Sequence, residues 1–216
     1  FRNILPIDFS ETSAERSTGI NLDVNYKWPV TDDLSLSTNA LLFYTQIDDP
    51  MLLQSNNNGM YAFTQPNGYI NTQGLEANMK WSYHDFKLFV GYTYADVNEH
   101  YDNEESEYPL VAKHRLNNVL MYEKHGNFWI GLEAYYFSPQ KLLDGSTGKS
   151  YWIMGIMSEK KIGKYFSLFL NFENMFDTRQ TRFDTIYTGN ISDPQFRDIY
   201  APVDGFVING GFKLSL

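Results

Sequence analysis

The chain has 216 residues, no cysteine and a formal net charge of −9, from 17 Lys and Arg against 26 Asp and Glu. Its length suits one large β domain or barrel segment, and the missing thiols exclude disulfides, thiolate metal sites and cysteine nucleophiles. The acidic balance argues against a nucleic-acid partner, because neutralising phosphates takes a basic face.

Aromatic content is high at 17%, with 16 Tyr and 16 Phe. Aromatics mixed with polar residues suit a surface that uses an apolar ring and a polar tip, as at a membrane interface or in a glycan site. No uninterrupted apolar run is long enough for a transmembrane helix. Spanning strands are not excluded, since they need only about 9–11 residues with every second one apolar. The start, FRNILPIDFS, lacks the basic, apolar and small-residue regions of a signal peptide, so an exported protein of this sequence is expected to be a piece of a longer chain.

In chain order, residues 1–14 read as irregular, the end of a loop, and strands and loops fill 15–216. Residues 19–28 alternate cleanly, with Ile20, Leu22, Val24, Tyr26 and Trp28 on one face and Asn21, Asp23, Asn25 and Lys27 on the other. A turn at 29–33 leads into a strand over 34–47, antiparallel to the first. A long polar connection, 48–68, holds a short strand at 61–64. Strands at 69–83 and 86–96 follow, joined by the tight turn His84-Asp85. An acidic connection, 98–109, precedes strands at 110–122 and 128–137, which meet in a turn at 124–127. After a loop at 138–149 come strands at 150–160 and 165–177, with a turn at 161–164. A loop at 178–204 leads to the last strand, 206–216, which ends on the apolar Leu216.

These are about nine strands whose connections alternate short and long, so all short turns fall at one end and all long loops at the other. Outer-membrane barrels have this asymmetry, whereas Greek-key connections of a soluble sandwich scramble it. Periodicity alone leaves open which face is wet. In a barrel, Asp23, Lys27, Glu76, Lys80, Lys87, Lys113, Arg115 and Glu133 would line the lumen; in a soluble sheet they would be the outer face. Aromatics near strand ends, among them Trp28, Trp81, Tyr122, Phe128 and Tyr136, fit interfacial girdles on the opposite face.

The stretch NFENMFDTRQTRF at 171–183, with its N-x-F-D element, and the closing GFVINGGFKLSL at 205–216 resemble the C-terminal half of a TonB-dependent outer-membrane receptor, especially those of Bacteroidetes. FYTQIDDPM at 43–51, NTQGLEANMKW at 71–81 and VGYTYADV at 90–97 are weaker matches. The resemblance implies an all-β, antiparallel transmembrane barrel of 22 strands, of which this chain supplies the last nine without the plug. It also implies outer-membrane lipid around the barrel, a TonB complex engaged through the absent N-terminal region, and a small-molecule or metal-chelate substrate. Such barrels commonly end in Phe or Trp; Leu216 departs from that.

Two groups of residues are candidates for binding. Asp102, Glu104, Glu105 and Glu107 offer several oxygens for Ca²⁺, but without the Asp-x-Asp-x-Gly grammar; a solvated loop tip is the commoner reading. No other cofactor is expected. In the last long loop Arg179, Arg182, Phe183, Tyr187, Phe196, Arg197 and Tyr200 interleave cations with rings, which suits an anionic iron chelate or a sugar. Loop packing is the alternative. His84, His100, His114 and His125 show no metal-ligand spacing. A barrel enzyme would need His with Ser or Asp at the loop end, and His84-Asp85 lies at the turn end. No catalytic residue is therefore expected.

The expectation is a receptor and importer in the outer membrane for a scarce nutrient, a ferric siderophore or a corrinoid. A glycan importer of the same class and a soluble carbohydrate-binding β-sheet module are the alternatives.

Overall fold

The computed structural model describes residues 4–7, 10, 12–55 and 60–214. The strands, in chain order, are β1 (Arg16–Pro29), β2 (Leu34–Asp48), β3 (Leu52–Ser55), β4 (Tyr61–Thr64), β5 (Gly68–Tyr83), β6 (Phe86–Tyr101) and β7 (Glu104–Glu107), then β8 (His114–Lys124), β9 (Phe128–Phe137), β10 (Tyr151–Ile162), β11 (Phe166–Glu173), β12 (Tyr187–Asn190), β13 (Asp193–Phe196) and β14 (Val207–Leu214). One antiparallel sheet runs β1-β2-β5-β6-β8-β9-β10-β11-β14, with β7 paired to β6. Its nine path strands are those read from the alternation, each beside its neighbour in sequence.

The register carries the alternation across the whole sheet. Leu22 faces Leu42, Leu42 faces Leu75 and Leu75 faces Tyr94. Further round, Leu120 faces Leu132, Leu132 faces Ile156, Ile156 faces Phe172 and Phe172 faces Ile208. The opposite face has its own rows. Asp23, Leu41, Glu76, Thr93 and Arg115 form one, and Asn25, Asn39, Asn78, Gly91 and Asn117 another. Hydrogen bonds run within and between these rows: Asn39 donates to Asn25 of its own row at 3.0 Å and to Asp23 of the other at 2.9 Å.

Among the described residues no layer is packed on the apolar face. Ile20 is 72% exposed and Leu22 61%, while the buried apolar cluster gathers Leu142, Tyr151, Tyr200 and Ala201 at the loop end. A soluble sandwich would bury such a face. Aromatic pairs mark two levels on it: Phe86 with Tyr122 at 4.9 Å and Tyr122 with Phe128 at 5.7 Å near the turns, and Tyr136 with Trp152 at 5.0 Å near the loops. These are the two girdles of a membrane-spanning wall.

Several boundaries differ from the sequence reading. The acidic connection is a hairpin: β6 continues to Tyr101, turns at Asp102 and Asn103, both in the left-handed region (φ 51° and 70°), and returns as β7. Two successive positive φ values make the primed turn that suits tight hairpins. The strand expected from residue 110 begins at His114, because Leu110 sits at φ 61° with its N–H bonded to the Lys141 carbonyl. The strand expected to reach residue 177 stops at Glu173, where Asn174 turns to φ 46°. The last strand begins at Val207; Ser215 and Leu216 lie outside the described residues.

β5 and β6 have 16 residues each. At about 3.3 Å per residue and about 40° of tilt they rise roughly 40 Å, against an apolar band of about 25 Å. Their ends stand clear of the membrane on the loop side.

β1 and β14 each leave one edge unpaired in this sheet, and lipid offers no partner for such main-chain groups. The isolated 216-residue chain is accordingly expected not to insert as a stable monomer. Heat-resistant, compact migration of the purified chain in mild detergent would overturn this.

Candidate functional site

The loops between β9 and β10 (138–150) and between β11 and β14 (174–206) form one locked unit. The clasp starts at the end of β11. The Asn174 side chain accepts from the Thr178 N–H at 2.9 Å and donates to the carbonyls of Thr178 at 2.8 Å and Asp204 at 3.3 Å, joining the two ends of the long loop. Asp177, at φ 53°, accepts from the Phe206 N–H at 3.2 Å. A side chain at position 205 would not fit here, since a Cβ on Gly205 would lie 1.8 Å from Asp177 Oδ1.

A 3₁₀ turn, Gln180–Arg182, follows. Gln180 is fully buried. Its N–H donates to the Pro202 carbonyl at 2.8 Å and its Nε2 to the Asp198 carbonyl at 2.7 Å, while Oε1 accepts from the N–H groups of Tyr200 and Ala201 at 2.9 and 3.1 Å. Every polar atom of the side chain is engaged, which is what burial of an amide requires.

Tyr200 ties this loop to β10 and the loop before it. Its carbonyl accepts from Tyr151 at 2.9 Å and Gln140 at 3.2 Å, and its hydroxyl accepts from the Lys149 N–H at 2.9 Å and donates to Asp184 at 2.8 Å. Leu143 N–H donates to Asp198 Oδ2 at 2.7 Å. Tyr151 stacks on Phe137 at 4.9 Å and faces Phe183 at 6.4 Å.

The expected binding residues divide between structure and surface. Arg179 and Arg182 both pair with Asp177, so part of their charge is spent inside the clasp. Arg197 pairs with Asp184 at 3.2 Å and Asp144 at 3.6 Å. Tyr200 is buried in the lock, and Phe196 ends the outer β12–β13 hairpin, 77% exposed. What remains in one place is an open recess of about 800 Å³ lined by Lys149, Arg182, Phe183, Asp184, Ile186 and Tyr187. Arg182, Phe183 and Tyr187 are thus brought together; Lys149 is an added member, its Nζ donating to the Phe183 carbonyl at 2.7 Å.

The acidic group is not gathered. Asp102 is in the β6–β7 turn, and alternation along β7 parts Glu104 from Glu105 and Glu107. Glu107 lies 3.6 Å from Lys113, which also pairs with Asp96 at 2.8 Å, and Glu105 lies 4.0 Å from His100. Among the described residues no three acidic or histidine side chains converge as metal ligands. His84 approaches Asp33 at 3.7 Å, across neighbouring turns, and His114 meets the Tyr92 hydroxyl at 2.7 Å.

Sheet, girdles and locked loops define a segment of membrane barrel wall with an open recess at its loop end. The chain belongs to the family described as TonB dependent receptor-like, beta-barrel, which matches residues 10–175, and the family places it in the bacterial outer membrane. Among solved structures it is similar to the copper transporter OprC, at 14% identity and a TM-score of 0.71, over 96% of this chain and 32% of that one. The FrpB iron transporter from Neisseria meningitidis (F3-3 variant) is 17% identical with a TM-score of 0.66, over 98% and 33%. The ferripyoverdine receptor of Pseudomonas aeruginosa, bound to ferripyoverdine, is 16% identical with a TM-score of 0.59, over 92% and 27%. The chain therefore spans about a third of the length of these proteins.

Two outcomes follow from the lock. Gln180→Leu leaves the Tyr200 and Ala201 N–H groups and the Asp198 carbonyl unpaired, a local loss of roughly 3 kcal/mol. Exchange of the Tyr200 and Ala201 amides in the full-length receptor should then quicken on the order of a hundredfold, and unchanged exchange would sink the assignment.

The second concerns pH. The Tyr200 hydroxyl, the Thr185 N–H, Arg197 and Lys149 hold the Asp184 carboxyl below the usual range against partial burial, while burial pushes the Tyr200 phenol up. A carboxylate with a lowered folded pKa contributes stability that is full above the unfolded value of about 3.9 and lost as pH falls through the folded value. Hydrogen exchange in the 182–200 loop, corrected for intrinsic rates, should rise across that acid window in the wild type. The rise should flatten in Asp184→Asn.

Proposed function

We propose that the chain is the C-terminal part of the barrel of a receptor for TonB-dependent uptake, and that its substrate is an anionic ferric siderophore or a corrinoid. The observation that carries this reading is the recess beside the locked loops, where Lys149 and Arg182 stand with Phe183 and Tyr187. A ring-lined pocket with two cations, whose one lining acid, Asp184, is already bonded to Arg197 and Tyr200, in a chain of net charge −9 suits a ligand that is both anionic and partly apolar, as a chelate with aromatic or macrocyclic donors is. Arg182 remains 54% exposed while paired to Asp177, so it presents N–H donors to the recess.

Binding would take place at the loop end. Passage through the lumen would require the plug supplied elsewhere in the receptor to rearrange under TonB. The polar rows on the lumen face, with their Asn and Asp contacts, suit a wet interior for that passage.

The reading is tested in a deletion strain complemented with the full-length receptor and given single iron, corrinoid or glycan sources. Growth is expected on one iron chelate or corrinoid. Arg182→Ala should weaken binding of that ligand roughly tenfold, about 1.4 kcal/mol, measured on the purified receptor. Growth restored only by a glycan would replace this substrate class with the glycan alternative.

A further inference from the structure

The lipid-facing surface is interrupted near the turn end. Two rows of side chains, Ile130–Ser158–Leu170 and Phe128–Lys160–Leu168, run in register across β9, β10 and β11. Between them lies an apolar groove of about 550 Å³. The groove exists because Ser158 stands where its row neighbours carry Ile and Leu. Its Oγ folds back to donate to the Leu170 carbonyl at 2.8 Å, so it adds neither bulk nor a free hydroxyl. Gly210, opposite Leu170 on β14, leaves the next position bare as well.

The turn-side margin of this groove is cationic. Lys160 lines it, with its Nζ bonded to Asn127 Oδ1 and 5.4 Å above the Phe128 ring. Lys124 faces Phe128 across the β8–β9 register, and Lys164 lies in the β10–β11 turn with its Nζ 5.4 Å above the Tyr165 ring. All three are exposed, and none takes part in the ion pairs of the described residues. The acids adjacent in sequence point to the other face and are neutralised there: Glu123 by Lys87 and Glu159 by Lys213. Alternation has thus sorted charge by side, with acid–base pairs towards the lumen and uncompensated lysines towards lipid.

We propose that this groove, at the short-turn end that faces the periplasm in outer-membrane barrels, is a binding site for an anionic phospholipid of the periplasmic leaflet. One acyl chain lies between the two rows, and the phosphate sits against Lys160 with Lys124 and Lys164 flanking it. A lysine on a flexible stem at the membrane surface is suited to a phosphate as a point charge, and a narrow, shallow, apolar trough matches a single flexible hydrocarbon chain. A second copy of this chain would bring the same three cations against themselves. The site lies at the level of the Phe86–Tyr122–Phe128 aromatics, where headgroups meet the apolar band.

The test uses the full-length receptor in mild detergent, with native mass spectrometry after adding phosphatidylglycerol, phosphatidylethanolamine or lipopolysaccharide. The wild type should retain phosphatidylglycerol about tenfold over phosphatidylethanolamine. The combined variant K124Q/K160Q/K164Q should lose that preference. Ser158→Trp, which fills the groove and leaves every charge in place, should reduce retention of both phospholipids. Lys161→Gln, on the same strand but towards the lumen, should leave the preference intact. Heat-modifiable migration reports folding of each variant, and if the triple variant does not fold, Ser158→Trp decides alone. Equal preference in wild type and triple variant, unchanged retention in Ser158→Trp, stronger retention of lipopolysaccharide, displacement by inorganic phosphate alone, or a receptor dimer abolished by Ser158→Trp would each overturn the proposal.

Discussion

Hydrocarbon offers no partner to a peptide N–H or C=O, and everything else in this chain follows from satisfying those groups between neighbouring strands. An antiparallel ladder does so only in a fixed register, and a fixed register with a period of two commits every side chain to lipid or lumen. The row Asp23, Leu41, Glu76, Thr93 and Arg115 shows what is at stake. A slip by one residue would turn its charges into lipid, at about 2–4 kcal/mol for an arginine at the midplane. The polar rows therefore stabilise the register as much as they furnish a wet wall.

Outside the membrane that constraint lifts, and the two ends of the sheet diverge. The turn end needs only to reverse direction, which His84-Asp85 and the turn around Gly126 do with single residues at positive φ. The loop end must instead build its own interior from little apolar material. It does so with amide and carboxylate side chains that bond main chain: Asn174 and Asp177 at the base, Gln180 at the centre, Asp198 and Tyr200 reaching the neighbouring loop. Arginines chosen in sequence as ligand-gripping groups are partly members of this scaffold.

The nine path strands were legible because runs such as residues 19–28 alternate without a break, and the long and short connections gave the ends. Of the short hairpin strands, β4 was read at its observed bounds, 61–64, and the other four were not. LLQS, EESE, YTGN and DPQF carry no apolar alternation, since neither face of β3, β7, β12 or β13 is committed to lipid. The centre of the lock was invisible for another reason. Gln180 is a polar residue in a polar loop, and its burial depends on partners 18 to 21 positions away. The N-x-F-D element did point to the place, though its Asn and Asp proved to be the clasp. Alternation alone already put Lys87 on the lumen side, but gathering Lys124, Lys160 and Lys164 at one place on the other face needed the register, because they come from two strands and a turn.

The clasp also constrains what the recess can do. Arg182 lines the recess and pairs with Asp177; Asp177 in turn holds the N–H of Phe206, the residue before β14. An anionic ligand that draws Arg182 towards itself competes with Asp177 for that cation, while Arg179, at 2.9 Å, remains to balance the carboxylate. The second arginine thus lets the first engage a ligand without leaving Asp177 unpaired at the junction of loop and barrel. Lys149 works from the opposite side: its main-chain N–H is fixed by the Tyr200 hydroxyl and its Nζ rests on the Phe183 carbonyl, two residues before β10 begins. Both cations of the recess are therefore positioned by the same bonds that seat the loops on β10 and β14, so a ligand taken up there, on the function proposed above, would be coupled to loop order through the lock.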